Sequence, residues 1–284
     1  MASFDFLKAA IKGYQFAWFH GAELFKFSFP VVFIGVFCEL VVIQSGMEEN
    51  ILRRGLLELP ATFAQGYFLC ELVRYVIYNE PFVLWGYARS SKIGEFQTLY
   101  TQRMADRPRK ALIQGAVIFY VFQILVATML WGLSRMAAEI PVDAGSVESV
   151  NGPDLLTGLV NLSVVVLILL AAFWSIRLSF LYISFAMGYG VRRYLRKLAG
   201  FSSSASLFLC SIFVFLFMLF PAEMVLKILT MALADFPAVW VVLATIVQQY
   251  VTVIFHTVMT ISAAFGIKEM VEGPSSPRYP NSLI

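Results

Sequence analysis

Residues 155–197 read LLTGLVNLSVVVLILLAAFWSIRLSFLYISFAMGYGVRRYLRK. The first part, Leu155 to Trp174, is about twenty residues without a charge, the length a helix needs to cross the hydrocarbon of a bilayer. Arg177 follows within IRLSFLYISF, and the stretch ends in the basic cluster Arg192, Arg193, Arg196 and Lys197. An apolar span that stops in a basic turn is the signature of a membrane helix arriving at a cytoplasmic surface. The expected fold is therefore all-α, a polytopic integral membrane protein.

The rest of the composition agrees. Of 284 residues, 60% are hydrophobic and 14% charged, with 27 phenylalanines and a mean hydropathy of +0.78. Soluble domains carry roughly a quarter charged residues. The net charge of +3 is small, so the placement of charges matters more than their sum. Cys38, Cys70 and Cys210 are scattered in apolar stretches without C-x-x-C spacing and read as buried thiols rather than disulfide or zinc ligands. The N-terminus does not read as a signal peptide, because its first apolar run begins only after Lys26.

In chain order, the spacing predicts an interfacial amphipathic helix within residues 1–25, with Lys8 and Lys12 one turn apart on headgroup phosphates. Residues 26–268 form the transmembrane domain, about six helices in three hairpins, and 269–284 a flexible cytoplasmic tail rich in Pro and Ser. The crossings fall at Phe27–Ile43, with Pro30 in the first turn, at about Pro60–Tyr78, at Ala111–Leu133, at the stretch from Leu155, at Ala205–Leu229 and at Ala238–Ile267. With the N-terminus inside, inner segments hold about fifteen of the 21 Lys and Arg, and the outer loops hold only Arg53, Arg54 and Arg135. Both termini are thus expected in the cytoplasm, and the address is a bacterial cytoplasmic (inner) membrane. Arg74 to Arg89 and Arg177 to Arg192 are both fifteen-residue intervals ending in LWGYAR and AMGYGVR, a faint internal repeat.

The opening FLKAAIKGYQFAWFHGAELFKFSFPVV, together with the aliphatic fourth crossing and its IRLSF, resembles a set of bacterial six-helix membrane proteins. These are similar to the membrane domain attached to some glycerophosphodiester phosphodiesterases and to uncharacterised relatives lacking the catalytic part. The resemblance implies a fold and an inner-membrane address. It does not imply phosphodiesterase chemistry, since two histidines are too few for that metal site.

Charges inside a membrane are costly and mark candidate sites. Arg177 lies about 22 residues, roughly 33 Å, from the outer end of its helix, where it either snorkels to phosphates, pairs with another helix or serves a substrate or ion. Glu71 and Arg74 are three apart and can neutralise one another on one face. Glu39, about 20 Å in from the cytoplasmic edge, must be protonated or paired with a base on another helix. Glu223 and Lys227 read as an interfacial pair. Gln249 and His256 are seven apart and align, while Gln248 is turned away by about 100°. They read as interhelical hydrogen-bonding groups, with a proton relay as the sharper alternative.

No phosphate loop, metal-spaced histidine pair or nucleophile elbow is present, so no catalytic residue, metal or cofactor is expected. The basic inner segments imply anionic lipid headgroups as partners rather than nucleic acid, with a membrane-protein partner or homo-oligomer as further possibilities. The leading expectation is a non-enzymatic membrane protein acting as scaffold, accessory subunit or lipid organiser. The alternative is a small-molecule or ion transporter or channel built on Glu39, Arg74, Arg177 and His256. Convergence of those side chains within about 6 Å separates the two.

Overall fold

The computed structural model describes residues 4–47, 51–78, 80, 109–139, 178–197, 201–232 and 237–272, with 163, 170 and 175 as isolated positions. Among them every regular element is a helix. The elements are α1 (Phe6–Phe19), α2 (Gly21–Ser45), α3 (Ile51–Leu57), α4 (Leu59–Tyr78), α5 (Arg109–Glu139), α6 (Leu181–Ala186), α7 (Val191–Lys197), α8 (Phe201–Ala232) and α9 (Pro237–Glu272). The fourth crossing, expected from Leu155, and Arg177 within it lie outside the described residues, as do the segment with Arg89 and the tail after Glu272.

Local sequence explains where the helices start and stop. Asp5 caps α1, its Oδ1 accepting from the backbone N–H of Leu7 (3.0 Å) and Lys8 (3.1 Å). At the end of α1 the His20 ring stacks on Phe16 at 4.2 Å, and α2 starts one residue later. Pro30 therefore lies in the interior of α2 rather than in its first turn, as expected from the sequence. The lost N–H is tolerated where packed neighbours stand in for it. Gly46 ends α2 at φ +64°, with its own N–H on Ile43 O and that of Met47 on Val42 O, a Schellman closure that needs a left-handed residue.

Among the described residues, three stretches are long and apolar enough to cross a membrane: Gly21–Ser45, Lys110–Met129 and Val239–Val271. Their outward faces are apolar as well. On α2, Phe25, Phe29, Phe33 and Phe37 recur every fourth residue, each more than half exposed. Ile113, Val117, Val121 and Leu125 form the same kind of stripe on α5. Side chains of this size left outward over four turns fit a lipid solvent and not water.

The interior is organised around α9, which packs against α1, α2, α4, α6 and α8. Small residues set these approaches. A Cβ on Gly13 of α1 would fall 2.0 Å from Ser262 Oγ, and one on Gly66 of α4 would fall 3.1 Å from both Cα and O of Ala116 on α5. On the same face, a Cβ on Gly115 would reach within 2.6 Å of Cys70 Sγ. Close approach through Gly and Ala is how helices associate where lipid provides no hydrophobic drive.

Helix α4 is not among the three apolar spans, yet much of it is enclosed: Phe68, Leu69, Cys70, Leu72 and Val73 are fully buried. Being shielded by its neighbours, it can carry Gln65, Glu71 and Arg74. Tyr75 at one end of α4 donates to Glu23 Oε2 at 2.9 Å, and α3 ahead of its other end returns Arg54 to Glu39. Helices α2 and α4 therefore run side by side in opposite directions.

Candidate functional site

The charged and polar side chains that tie neighbouring helices to α4 or to the segment before it fall into three layers. At one end lies Arg54, whose Nη2 is 3.1 Å from Glu39 Oε1 and whose Nε is 2.6 Å from Glu58 Oε1. The base expected to answer Glu39 is thus Arg54, brought back by α3 from a segment read as an outer loop. Because α2 runs to Ser45, Glu39 stands six residues, about 9 Å, from the nearer end of its helix. Both partners are partly exposed, as befits a group near an interface.

The middle layer is His256. Its Nδ1 lies 2.8 Å from the Thr252 carbonyl oxygen, so that nitrogen carries the proton. Nε2 then accepts from the side-chain amide nitrogen of Gln123 on α5, at 3.2 Å. The Gln65 amide of α4 sits 3.1 Å from Nδ1, and with Nδ1 donating it is best satisfied turned so that its oxygen faces the ring. The rings of Phe119 and Phe255 meet the imidazole edge-on at 5.6 Å and 5.3 Å. One turn along α9, Thr260 Oγ1 and Tyr182 Oη of α6 are 2.6 Å apart, and Phe119 also packs edge-on against Tyr182. Gln249 faces α2, where Gly35 makes room: a Cβ there would lie 2.6 Å from its Oε1. Gln248 is exposed, as its separation from Gln249 and His256 predicts.

The third layer is a clamp between α4 and α6. Short helix α6 ends in a second Schellman closure at Gly188, φ +77°, with Gly188 N–H on Phe185 O and Tyr189 N–H on Ser184 O. Arg74 Nη1 donates to Ala186 O at 2.9 Å, and Tyr78 Oη donates to Met187 O at 2.8 Å. A cation at carbonyls that end a helix is favourably placed. The carboxylate that Arg74 meets is Glu80, through both Nε (2.6 Å) and Nη2, rather than Glu71. Glu71 is instead buried on the core face of α4.

At this same end lie Lys8, exposed, and Lys12, whose Nζ sits 5.5 Å over the ring of Phe265. Arg192, Arg193 and Arg196 point outward from α7. Lys197 ends that helix, but its side chain, like that of Glu223, lies outside what the structure describes. Tyr14 of α1 donates to Val214 O of α8 at 3.1 Å. Burial there, with a smaller contribution from Cys210, pushes its phenol up to about 12.

The polar candidates named from sequence are therefore not one cluster. Glu39 and Arg74 belong to opposite ends of α4, and His256 lies between them. Glu58 and Arg74 are sixteen residues apart on or beside α4, about 24 Å of helix. Residues passed over in the sequence complete each layer: Arg54, Gln65, Gln123, Glu80 and Tyr182. Gln65 and Gln123 did carry a signal, each being a lone amide inside an apolar run (ATFAQGYF, YVFQIL). Among the described residues no three His, Cys, Asp or Glu side chains come together as metal ligands would. No protein family, characterised protein or solved structure matches this chain.

Proposed function

We propose that this chain is a six-crossing integral protein of a bacterial cytoplasmic membrane that works as a scaffold, accessory subunit or lipid organiser, without an enzymatic step. In this reading both termini face the cytoplasm, α1 lies in the interface, and the end bearing Lys8, Lys12 and α7 meets anionic headgroups. The relationship to the membrane domain of glycerophosphodiester phosphodiesterases belongs to the same proposal and rests on the residues quoted for it.

One observation carries the reading. Arg54, His256 and Arg74 are each taken up at a helix-to-helix contact, and the three occupy separate depths. Arg54 joins α3 to α2, His256 joins α9 to α4 and α5, and Arg74 joins α4 to α6. A transporter would bring such side chains to a common solute.

Reconstitution tests this directly. Purified protein in vesicles is expected to pass protons and ions no faster than protein-free vesicles, and mild-detergent purification is expected to bring down a membrane-protein partner or a second copy. Flux that Glu39→Gln and His256→Ala both abolish would overturn the scaffold reading in favour of transport.

A further inference from the structure

We propose that α7 is a docking site for the phosphate of an anionic phospholipid, with Arg192, Arg193 and Arg196 as its ligands. This deepens the membrane reading above and rests on it.

The helix is built for presentation. Tyr194 is 1% exposed and Leu195 packs on the core, so one face of this short segment is anchored. Arg192, Arg193 and Arg196 occupy the other face and are exposed, and Val191 is exposed at the start of the helix. Positions 192 and 196 are one turn apart and 193 and 196 three apart, so the guanidinium groups can converge on one acceptor. Arg193 lies 4.7 Å over the Tyr189 ring, which fixes the plane of its guanidinium and leaves N–H groups at its edge for a phosphate. Among the described residues none of the three is matched by a carboxylate, in contrast to Arg54 and Arg74.

Position and pre-organisation favour a lipid as the source of that phosphate. The turn before α7 is held by Arg74 on Ala186 O and Tyr78 on Met187 O, with Ser184 Oγ donating to Tyr189 O at 3.1 Å. Arg74 lies about 24 Å of helix from Glu58, close to the thickness of a bilayer hydrocarbon core, so α7 sits at headgroup level. Exposed Val191 adds apolar contact for the upper acyl chain. A soluble phosphate would gain the charge contacts and lose the rest.

The test uses the full chain in nanodiscs of phosphatidylcholine with a minor share of phosphatidylglycerol, followed by mass spectrometry of the lipid retained by the protein. Wild type is expected to retain phosphatidylglycerol above its bulk share. Arg192→Gln with Arg196→Gln should lower that preference by about fivefold for each charge removed. Lys26→Gln with Lys110→Gln removes two exposed charges elsewhere and should lower it far less. Equal losses in the two double variants, or no preference in wild type, would overturn the proposal. So would competition by glycerol phosphate at matched concentration, which would point to a soluble ligand. A lipid ratio at bulk leaves the scaffold reading intact, whereas solute flux would sink that reading without touching this one.

Discussion

His256 places Nε2 3.2 Å from the amide nitrogen of Gln123 while its Nδ1 lies 2.8 Å from the carbonyl of Thr252. One ring thus uses its own helix to fix its tautomer and a second helix to use it. Removing either partner leaves the other unpaired between helices, so the two substitutions should be non-additive. A cycle of Gln123→Leu, His256→Leu and the double variant, followed by unfolding in mixed micelles, is expected to give a coupling of about 0.6 kcal/mol and at most ~1.7 kcal/mol. Full additivity would mean that the contact holds nothing together.

Gly66 and Gly55 make a matched pair. A methyl group at Gly66 meets Ala116 backbone atoms at 3.1 Å, which have little room to move, while one at Gly55 meets nothing within 4 Å. Gly66→Ala should destabilise by about 1–3 kcal/mol. Gly55→Ala should be neutral or stabilise by about 0.5–1 kcal/mol, since it only reduces the backbone freedom of the unfolded chain. Melting temperatures of the two variants in one detergent decide the matter.

Arg54 serves Glu39 and Glu58 together. Glu39→Gln leaves the guanidinium its second carboxylate, so the loss should stay near 0.2–1 kcal/mol for so exposed a pair. Arg54→Met leaves two carboxylates facing each other, and its loss should exceed that of Glu39→Gln. Equal losses in the two variants would argue against the shared contact.

Tyr14 is held neutral to about 12 from an ordinary 10.0 because its hydroxyl is tucked against α8. A group whose folded value is raised contributes its stability below the unfolded value and loses it as pH rises through the folded one. The contribution should be complete below pH 10.0 and fade between there and about 12. Difference absorbance at the phenolate band between wild type and Tyr14→Phe should show one tyrosine titrating late. A titration at the ordinary value would remove the link between α1 and α8.

The lipid-facing stripe gives the simplest test of the membrane assignment. Phe33 stands midway along α2 and faces outward. Phe33→Arg should raise the apparent insertion cost of that segment by about 2.5–3.5 kcal/mol or more in a translocon assay. The same change at Gln44, near the end of α2, should do far less.

What the sequence discloses follows the same divide between lipid and interior. Helices α2, α5 and α9 hold the three windows apolar enough to cross a membrane, so their positions could be read directly. Helix α4 faces other helices and is free to be polar, which is why the stretch holding Glu71 and Arg74 was harder to read. Pairings were harder still. Helical spacing nominated Glu71 for Arg74, but a long side chain near a helix end reaches toward the surface, where the Ala186 carbonyl and Glu80 wait. Arg54 could not be matched to Glu39 without knowing that α3 doubles back. His256 and Gln249 were visible as isolated polar groups, and their partners Gln65, Gln123 and the gap at Gly35 only emerge from three dimensions.

Helix α4 also says something about how the protein must be made. Gln65 finds its imidazole partner 191 residues further along the chain. While a ribosome is still producing those residues, α4 has its amide, Glu71 and Arg74 but not the helix that encloses them. In the six-crossing reading proposed above, a segment in that condition is poorly suited to remain alone in lipid, so its entry into the bilayer awaits α5 and α9 or is sheltered by the insertion machinery in the meantime.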